Sequence, residues 1–532
     1  MKDTTLKTSF LQLPASKKLA QLAENPINLT DPNVLTPQRI HDYQAESGPF
    51  EIFFATEQVN DDVLKTLEEL AHETGAIALM EKMQGGGVLN FIEGYPSENR
   101  SVLHTALRDF FDRPNPNKVA IEARNMTRHE VDKLEKFEKE MEPFTDLVLI
   151  GIGGSELGPK AIYMALKGFE KAGKTVHFIG NVDPDDAAMV LRQVDLKKTL
   201  FMVVSKTGTT LETNTNEELV RSKYKEAGIE SKEHFIAVTG ESSPMDNTSI
   251  YRACFYIWDW VGGRFSASST IGGVILTFAY GFKAYMDFLK GAHAMDLAAL
   301  DSSLKKNIPL LSALIGVWNR DFLHYQTVAI IPYSQMLNRF SAHVQQVEME
   351  SNGKRIDRQG EPVDFDTSPI FWGEPGTNAQ HSFFQTIHQG TTVIPIEFIG
   401  FRESQTGKDM EIKGTTSHEK LLSNMIAQSL ALATGQTNSN PNKVFPGNRP
   451  SHILFAEKLD PYTMGALFAY VEHKVAFQGF LWNINTFDQE GVQLGKVLAD
   501  RFIGLIKSKR GQAVKTEFTP VELAYYDLIY PR

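Results

Sequence analysis

Beginning at Thr145, short apolar runs of strand length alternate with longer segments of helical periodicity. The runs are LVLIGIG, VHFIG, TLFMVVS, HFIAVTG and CFYIW. Near-continuous apolar strands separated by helices are typical of a parallel sheet with helices on both faces. In such doubly wound sheets, ligands bind at the carboxyl ends of the strands, near the point where the strand order reverses. The polar and glycine-rich loops after these strands are therefore where a functional site is expected.

The same alternation starts again in the second half of the chain. Its strand-like runs are TVAIIPY, PIFW, TVIPIEFIGF and HILFAE. Helical patterns at 337–350, 380–388 and 419–434 separate these runs, and a long apolar helix is predicted from near Ser268 past Tyr285. The predicted fold class is therefore α/β, with two doubly wound parallel-sheet domains and extra N- and C-terminal helices.

Changes in pattern along the chain divide it into four predicted segments. Residues 1–115 are mostly helical in pattern and form an N-terminal arm, which we expect to pack on the second domain. The first sheet domain is expected at 116–290 and the second at 291–510, followed by a C-terminal tail at 511–532. A chain of 532 residues is too long for a single simple core, which is consistent with this division.

Composition and charge exclude several classes of protein. The net charge of -11 argues against a nucleic-acid surface, but not against a small anion in a locally basic pocket. Cys254 is the only cysteine, so a disulfide or a cysteine zinc cluster within the chain is impossible, and its apolar context favours a core position. The most apolar stretch, near 271–282, is too short to span a bilayer, and the N-terminal residues lack a signal-peptide pattern. We therefore expect a cytoplasmic protein with no membrane partner.

The loop after the first strand, GIGGSELG at 151–158, has glycines where a ligand could approach the backbone. It does not match the dinucleotide fingerprint, because Glu156 stands at the third glycine position and would face a pyrophosphate. The backbone of Gly153, Gly154 and Ser155 could still contact a sugar or a phosphate at a helix start.

The loop after the third strand, SKTGTTLET at 205–213, is the stronger anion-binding candidate. Its hydroxyl side chains and the amides of a new helix can donate hydrogen bonds, and Lys206 adds positive charge. It is not a Walker loop, because Gly208 precedes threonines rather than a Gly-Lys-Ser/Thr triplet, so a monophosphate fits better than a triphosphate. The alternative is a Ser/Thr-rich capping turn that binds no ligand.

A second chemical candidate is Glu350 in the segment QQVEMESNGK, 345–354. Apolar residues at helical spacing predict a helix over Leu337–Met349, and the Asn-Gly pair after Glu350 should end it. The carboxylate would then lie at the negative end of the helix dipole, where a proton-transferring base is readily formed. The alternative is a solvated surface glutamate.

Six motifs in order carry a family resemblance: GIGGSELGP, SKTGTTLETNTN, VGGRFSASS, MESNGK, GEPGTNAQHSFFQTIHQG and FDQEGVQLGK. Together they resemble the glucose-6-phosphate isomerase family, over about Gly151–Lys496. The resemblance implies two sugar-isomerase (SIS) domains and a homodimer with active sites at the subunit interface. It also implies an aldose-ketose isomerase of glycolysis and gluconeogenesis that interconverts glucose 6-phosphate and fructose 6-phosphate. This reaction proceeds by ring opening and a cis-enediol, with no metal and no cofactor.

The resemblance also assigns roles to individual residues. Glu350 would be the base, Arg264 would stabilise the enediolate, His381 would open the sugar ring, and Lys496 would assist ring opening. The residues that would bind the substrate are Gly154, Ser155, Ser205, Lys206, Thr207, Thr210, Gln346 and Gln489.

His381 follows Thr377 and Asn378, which resemble a helix cap, so we predict that it lies in a first helical turn where the dipole favours the neutral imidazole. In the family, this residue comes from the neighbouring subunit. His388 lies seven residues further along, on nearly the same helical face, and is the rival candidate. We assign His388 a structural role, because it adjoins a predicted helix end.

Three motif positions depart from the family pattern. Gly208 stands where an aromatic residue is common, Phe265 where tyrosine is frequent, and Glu490 where tryptophan is frequent. None of these changes removes an acid, a base or a phosphate donor, so they affect substrate fit more than reaction type.

Two other functions stay open from the sequence. One is a non-catalytic sugar-phosphate-binding SIS-domain regulator, which would need the phosphate loop but not Glu350, His381 and Lys496 together. The other is a transferase or aldolase in which Lys496 forms a Schiff base with the open-chain sugar.

Overall fold

The structure, a computed structural model, describes residues 9–531. The N-terminal segment contains four α-helices and two short antiparallel hairpins. In chain order these are α1 (Pro14–Ala23), α2 (Pro37–Asp42), β1 (Gln44–Ser47), β2 (Phe50–Phe53), α3 (Asp61–Glu73), α4 (Ala76–Gln84), β3 (Val88–Asn90) and β4 (Arg100–Ser101).

The first large sheet has five parallel strands between helices. Its elements, with the long helix that precedes them, are α5 (Lys118–Met141), β5 (Asp146–Ile150), α6 (Leu157–Ala165), β6 (Thr175–Ile179), α7 (Pro184–Leu191), β7 (Thr199–Ser205), α8 (Leu211–Ala227), β8 (Phe235–Thr239) and β9 (Ala253–Tyr256). The strand order is β6-β5-β7-β8-β9, so the order reverses between β5 and β7. Every residue of β7 is buried, which explains its continuous apolar sequence.

Helices connect the two sheets and then alternate with the strands of the second. The helices and strands of this part of the chain are, in order, α9 (Thr270–Tyr280), α10 (Phe282–Ala298), α11 (Ile308–Val317), β10 (Thr327–Pro332), α12 (Phe340–Asn352), β11 (Ile370–Trp372), α13 (Phe384–Gln389), β12 (Ile396–Glu403), α14 (Ser417–Thr434), β13 (Ser451–Lys458) and α15 (Pro461–Leu481). Two further helices, α16 (Gln493–Lys509) and α17 (Pro520–Ile529), follow.

The second sheet has the same strand order as the first when it is read from the edge at β11. Its parallel strands are then β11-β10-β12-β13, which corresponds to β6-β5-β7-β8. The N-terminal hairpin extends the other edge, because β2 pairs antiparallel with β13. The predicted fold class of two doubly wound parallel sheets is thus confirmed, as are all nine strand-like runs. The antiparallel edge contributed by β1 and β2 leaves no signal in the sequence beyond the apolar run EIFFAT.

The long apolar helix predicted after the first sheet is wrong. The apolar segment from Ser268 past Tyr285 forms two helices, α9 and α10, which separate at Gly281. Gly281 has φ 97° and ψ 155°, a conformation that is essentially restricted to glycine. The chain therefore changes direction within a continuous apolar run.

Buried helix α15 packs against α10, α11 and α12, and nearly all of its residues are inaccessible to solvent. The described residues form two compact units that divide after Thr486, with residues 487–531 in the second. The predicted boundaries at residues 115, 290 and 510 stay predictions. Within residues 9–531, no helix is both long and apolar enough to cross a bilayer.

Candidate functional site

The reversal of strand order in the first sheet places two predicted loops side by side. Strands β5 and β7 are hydrogen-bonded neighbours, with Ile150 opposite Val203. A Cβ atom added to Gly151 would lie 3.3 Å from the Cβ of Val204, so the backbone approach between the loops is close. Because both strands end at this edge, the glycine loop and the Ser/Thr-rich loop lie at the ligand-binding position of a doubly wound sheet.

The Ser/Thr-rich loop folds around its own hydroxyl groups. The Oγ of Ser205 lies 2.8 Å from the Oγ1 of Thr210 and accepts a hydrogen bond from the backbone N–H of Gly208. Gly208 has φ 68°, in the left-handed region. Thr210 is the residue before α8, and its side chain does not cap the first-turn amides of that helix. These amides can therefore donate to an anion at the positive end of the α8 dipole.

Lys206 and Thr207 supply two further polar groups of this loop. The Nζ of Lys206 donates to the carbonyl of Val261 at 3.2 Å, and Thr207 is exposed. Burial lowers the pKa of Lys206, and the positive charge of Arg100 lowers it further. Sequence reasoning missed Arg100, because it lies in the N-terminal segment with no motif around it and approaches Lys206 only through the tertiary fold.

The glycine loop packs against the segment that carries Arg264. A Cβ atom added to Gly154 would lie 2.3 Å from the carbonyl carbon of Gly263, so a side chain there would prevent this approach. Gly153 has φ 59°, and the Nε2 of Gln346 lies 3.5 Å from the position of a Cβ added to it. Half-buried Ser155 ends the same loop. The predicted residues of the glycine loop, α12 and the Arg264 segment are thus brought together.

Glu350 lies in the last turn of α12, which ends at Asn352 with Gly353 as its C-cap, so the predicted helix end is confirmed. Its Oε2 is 3.8 Å from the Nη1 of Arg264. The side chain of Arg264 is 1% exposed, whereas that of Glu350 is 23% exposed. A partly accessible carboxylate thus faces a buried, permanently charged guanidinium. The carboxylate can take up and return a proton, and the guanidinium can stabilise negative charge that develops on a nearby oxygen atom.

Two further groups hold the Arg264 guanidinium. Its Nε donates to the Oγ of Ser351 at 2.6 Å, and its Nη2 donates to the carbonyl of Thr486 at 2.6 Å. Neither contact was predicted. Ser351 adjoins Glu350 in the MESNGK motif and could have been suspected, but Thr486 is 222 residues from Arg264 and gives no local signal.

His381 is not part of the contacts that join this cluster. It is exposed, and it ends a single turn of 3-10 helix, Asn378–His381, three residues before α13. His381 therefore lies in a helical turn that follows Thr377, as predicted, but this turn is a single 3-10 turn that does not continue into α13. The rival His388 is half-buried, and its Nε2 lies 2.7 Å from the Oε1 of Gln428 on α14.

The last predicted residues belong to the second compact unit. Gln489 is half-buried, and Lys496, in the first turn of α16, is exposed. Glu490, which departs from the family pattern, is also exposed. The roles of Gln489 and Lys496 stay predictions.

Two observations bear on other chemistry. Cys254 is 3% exposed in the core of the first sheet, and burial raises the pKa of its thiol, so it is a core residue as predicted. In the part of the chain that the structure describes, no group of three or more His, Cys, Asp or Glu side chains is arranged to hold a metal ion.

Comparison with known proteins gives matches along most of the chain. The family model described as Phosphoglucose isomerase matches residues 53–519. Glucose-6-phosphate isomerase of Protochlamydia amoebophila (strain UWE25) is 56% identical over 518 residues, which cover 97% of this chain and 96% of the relative. The same-named protein of Chlamydia caviae is 51% identical over 512 residues, covering 96% and 97%. A crystal structure of a glucose-6-phosphate isomerase from Chlamydia trachomatis D/UW-3/Cx matches with TM-score 0.94 and 49% identity, covering 98% of this chain and 99% of that one.

Proposed function

This chain belongs to the phosphoglucose isomerase family, and from that premise we propose that it interconverts glucose 6-phosphate and fructose 6-phosphate. The resemblance drawn from the six sequence motifs is confirmed at the level of the family. The observation that carries the proposed activity is the Glu350 carboxylate, which lies 3.8 Å from Arg264, a residue whose backbone packs against the glycine loop of the first sheet. This reaction belongs to glycolysis and gluconeogenesis.

In the proposed reaction, Glu350 removes the proton from C2 of the open-chain aldose and returns it to C1. The intermediate is a cis-enediol, and a single carboxylate can serve in both directions. The guanidinium of Arg264 stabilises the negative charge on the enediolate oxygen, and it does not compete for the proton because it stays charged. Since these two groups supply both proton transfer and charge stabilisation, the reaction requires no metal.

The substrate phosphate is proposed to bind in the loop after β7. Ser205, Lys206, Thr207 and Thr210 contribute hydroxyl groups and one positive charge, and the α8 amides add backbone donors. The other residues proposed to contact the substrate are Gly154, Ser155, Gln346 and Gln489. Lys496 is proposed to assist ring opening and to bind sugar hydroxyl groups.

The active form is proposed to be a homodimer in which His381 of one subunit completes the site of the other. Exposure of His381 in the single chain supports this arrangement.

We also propose the four-segment division at residues 115, 290 and 510, and a cytoplasmic location. The division is supported by two sheets with the same strand order. A reducing compartment is compatible with a single buried cysteine that has no second cysteine with which to pair.

The activity is tested by following the conversion of fructose 6-phosphate with an excess of glucose-6-phosphate dehydrogenase, in the presence of excess EDTA. Rapid turnover is expected. Saturable substrate binding without turnover would instead favour a non-catalytic SIS-domain regulator. Borohydride should trap no adduct on Lys496, since the isomerase route forms no imine; a trapped adduct would favour the transferase or aldolase alternative.

A further inference from the structure

A chain of buried polar contacts connects the interior of the second sheet domain to Arg264. The amide nitrogen of Asn352 donates to the Oε1 of Glu348 at 3.1 Å and to the carbonyl of Val475 at 3.0 Å. The hydroxyl of Thr486 donates to the Oδ1 of Asn352 at 3.2 Å. Since the Thr486 carbonyl accepts from Arg264, this chain ends at the guanidinium that faces Glu350.

Each member of this chain has its orientation fixed by the next. Two acceptors hold the amide nitrogen of Asn352, so its oxygen faces Thr486. Asn352 and Thr486 are both completely buried, so water does not replace these bonds. The hydroxyl of Thr486 thereby anchors the residue whose carbonyl accepts from Arg264.

Gly479 on α15 shows how closely this arrangement is packed. A Cβ atom added to Gly479 would lie 1.6 Å from the Oγ1 of Thr486 and 3.1 Å from the Oδ1 of Asn352. Only glycine at this position permits the Thr486 hydroxyl to reach Asn352.

We propose that Thr486, Asn352 and Ser351 are positioning residues for the isomerisation step, which orient the guanidinium of Arg264 toward the enediolate oxygen. This inference rests on the proposed function. Ser351 acts on the Nε of Arg264 directly, and Thr486 acts on its Nη2 with Asn352 behind it. Because the guanidinium stabilises charge that develops in the transition state, misorientation should lower kcat and leave substrate affinity nearly unchanged.

A matched pair of variants isolates the hydroxyl of Thr486. Thr486→Ala and Thr486→Ser both lose the methyl group, and they differ only in the hydroxyl that donates to Asn352. Loss of one hydrogen bond should lower the kcat of Thr486→Ala by about 3- to 10-fold relative to Thr486→Ser, with KM within about 2-fold. Calorimetric binding of glucitol 6-phosphate, which carries the phosphate but no carbonyl, should be equal for the two variants.

Ser351→Ala provides a second, independent test if Thr486→Ala fails to fold. It removes an acceptor that lies 2.6 Å from a charged donor, so kcat should fall by about 10-fold or more with KM again little changed. Thermal unfolding of every variant is measured beside the kinetics to establish that it is folded.

The possible results separate this inference from the proposed function. Absence of isomerase turnover in the unaltered protein would overturn both. Turnover in the unaltered protein with equal kcat for Thr486→Ala and Thr486→Ser would overturn the positioning role of Thr486 alone. A rise in KM without a fall in kcat, in either Thr486→Ala or Ser351→Ala, would contradict the positioning role and show that these buried polar contacts support substrate binding instead.

Discussion

At the residue scale, the proposed proton transfer depends on a single carboxylate whose position is fixed by the end of α12. Replacing Glu350 by glutamine keeps the shape of the side chain and removes the base. We expect Glu350→Gln to lower kcat by about two to four orders of magnitude with little change in KM. The coupled assay measures both quantities. Glu68→Gln, on the exposed face of α3, is the control, and near-normal turnover of Glu350→Gln would remove Glu350 from the mechanism.

Removing the positive charge of Lys206 tests whether the loop after β7 binds the substrate phosphate. Lys206→Ala removes a charge-assisted contact, so KM should rise by about 10- to 100-fold while kcat changes less. The exposed Lys65→Ala, on α3, is the control. An unchanged KM would exclude Lys206 from the phosphate site.

The lowered pKa of Lys206 predicts that KM depends on pH. The protonated ammonium binds phosphate, and the pKa of Lys206 is lowered from 10.5 by burial and by Arg100. As the pH rises through this lowered pKa, the positive charge is lost and KM should increase, at a lower pH than for an exposed lysine. In Lys206→Ala this rise in KM should be absent, which a series of KM measurements between neutral and alkaline pH will check.

At the element scale, Gly281 decides how two apolar helices connect. Its φ of 97° and ψ of 155° are strained for any residue with a Cβ atom, at a cost of about 1–3 kcal/mol. Gly281→Ala should therefore lower the midpoint of thermal unfolding, by roughly 2 °C or more. Gly495→Ala on α16 is the control, since an added Cβ there meets no atom within 4 Å. Equal midpoints for Gly281→Ala and the unaltered protein would contradict the strain argument.

The loop geometry at the strand ends also belongs to this scale. The glycine loop and the Ser/Thr-rich loop follow β5 and β7, and their predicted positions are correct because each follows a continuous apolar strand. His381 shows the limit of such local reasoning. Thr377 and Asn378 resemble a helix cap, but the chain forms only one 3-10 turn before α13.

At the scale of the whole molecule, the proposed homodimer predicts that each active site needs residues from two subunits. Glu350→Gln and His381→Ala should each be nearly inactive as pure proteins. If each site uses Glu350 from one subunit and His381 from the other, a hybrid dimer has one site with both residues intact. Equal mixing after dissociation should therefore give dimers in which about a quarter of all sites are intact, and the coupled assay measures the activity of these sites.

The controls for this experiment are each variant taken through dissociation and reassociation alone. Activity that stays at the level of these controls, in a mixture shown by sedimentation to contain dimers, would mean that His381 and Glu350 of the same chain share a site. Sedimentation of a monomer alone would contradict the proposed dimer.

The sequence by itself determined the fold class, the nine strands of the two parallel sheets, the two loops at the strand ends and the position of Glu350 at the end of a helix. These features arise from local causes. A buried parallel strand needs a continuous apolar run. Helix α12 ends at the Asn-Gly pair, where a Cβ atom added to Gly353 would lie 2.5 Å from the carbonyl oxygen of Met349.

Only the tertiary structure decided which distant residues complete the site. Thr486 reaches Arg264 across 222 residues, Arg100 from the N-terminal segment acts on Lys206, and the β1–β2 hairpin joins the second sheet by pairing with β13. Such contacts form between side chains and backbone groups whose own neighbours in the sequence carry no matching pattern. They depend on how the helices and sheets pack, and this packing has no counterpart in the local periodicity of the chain.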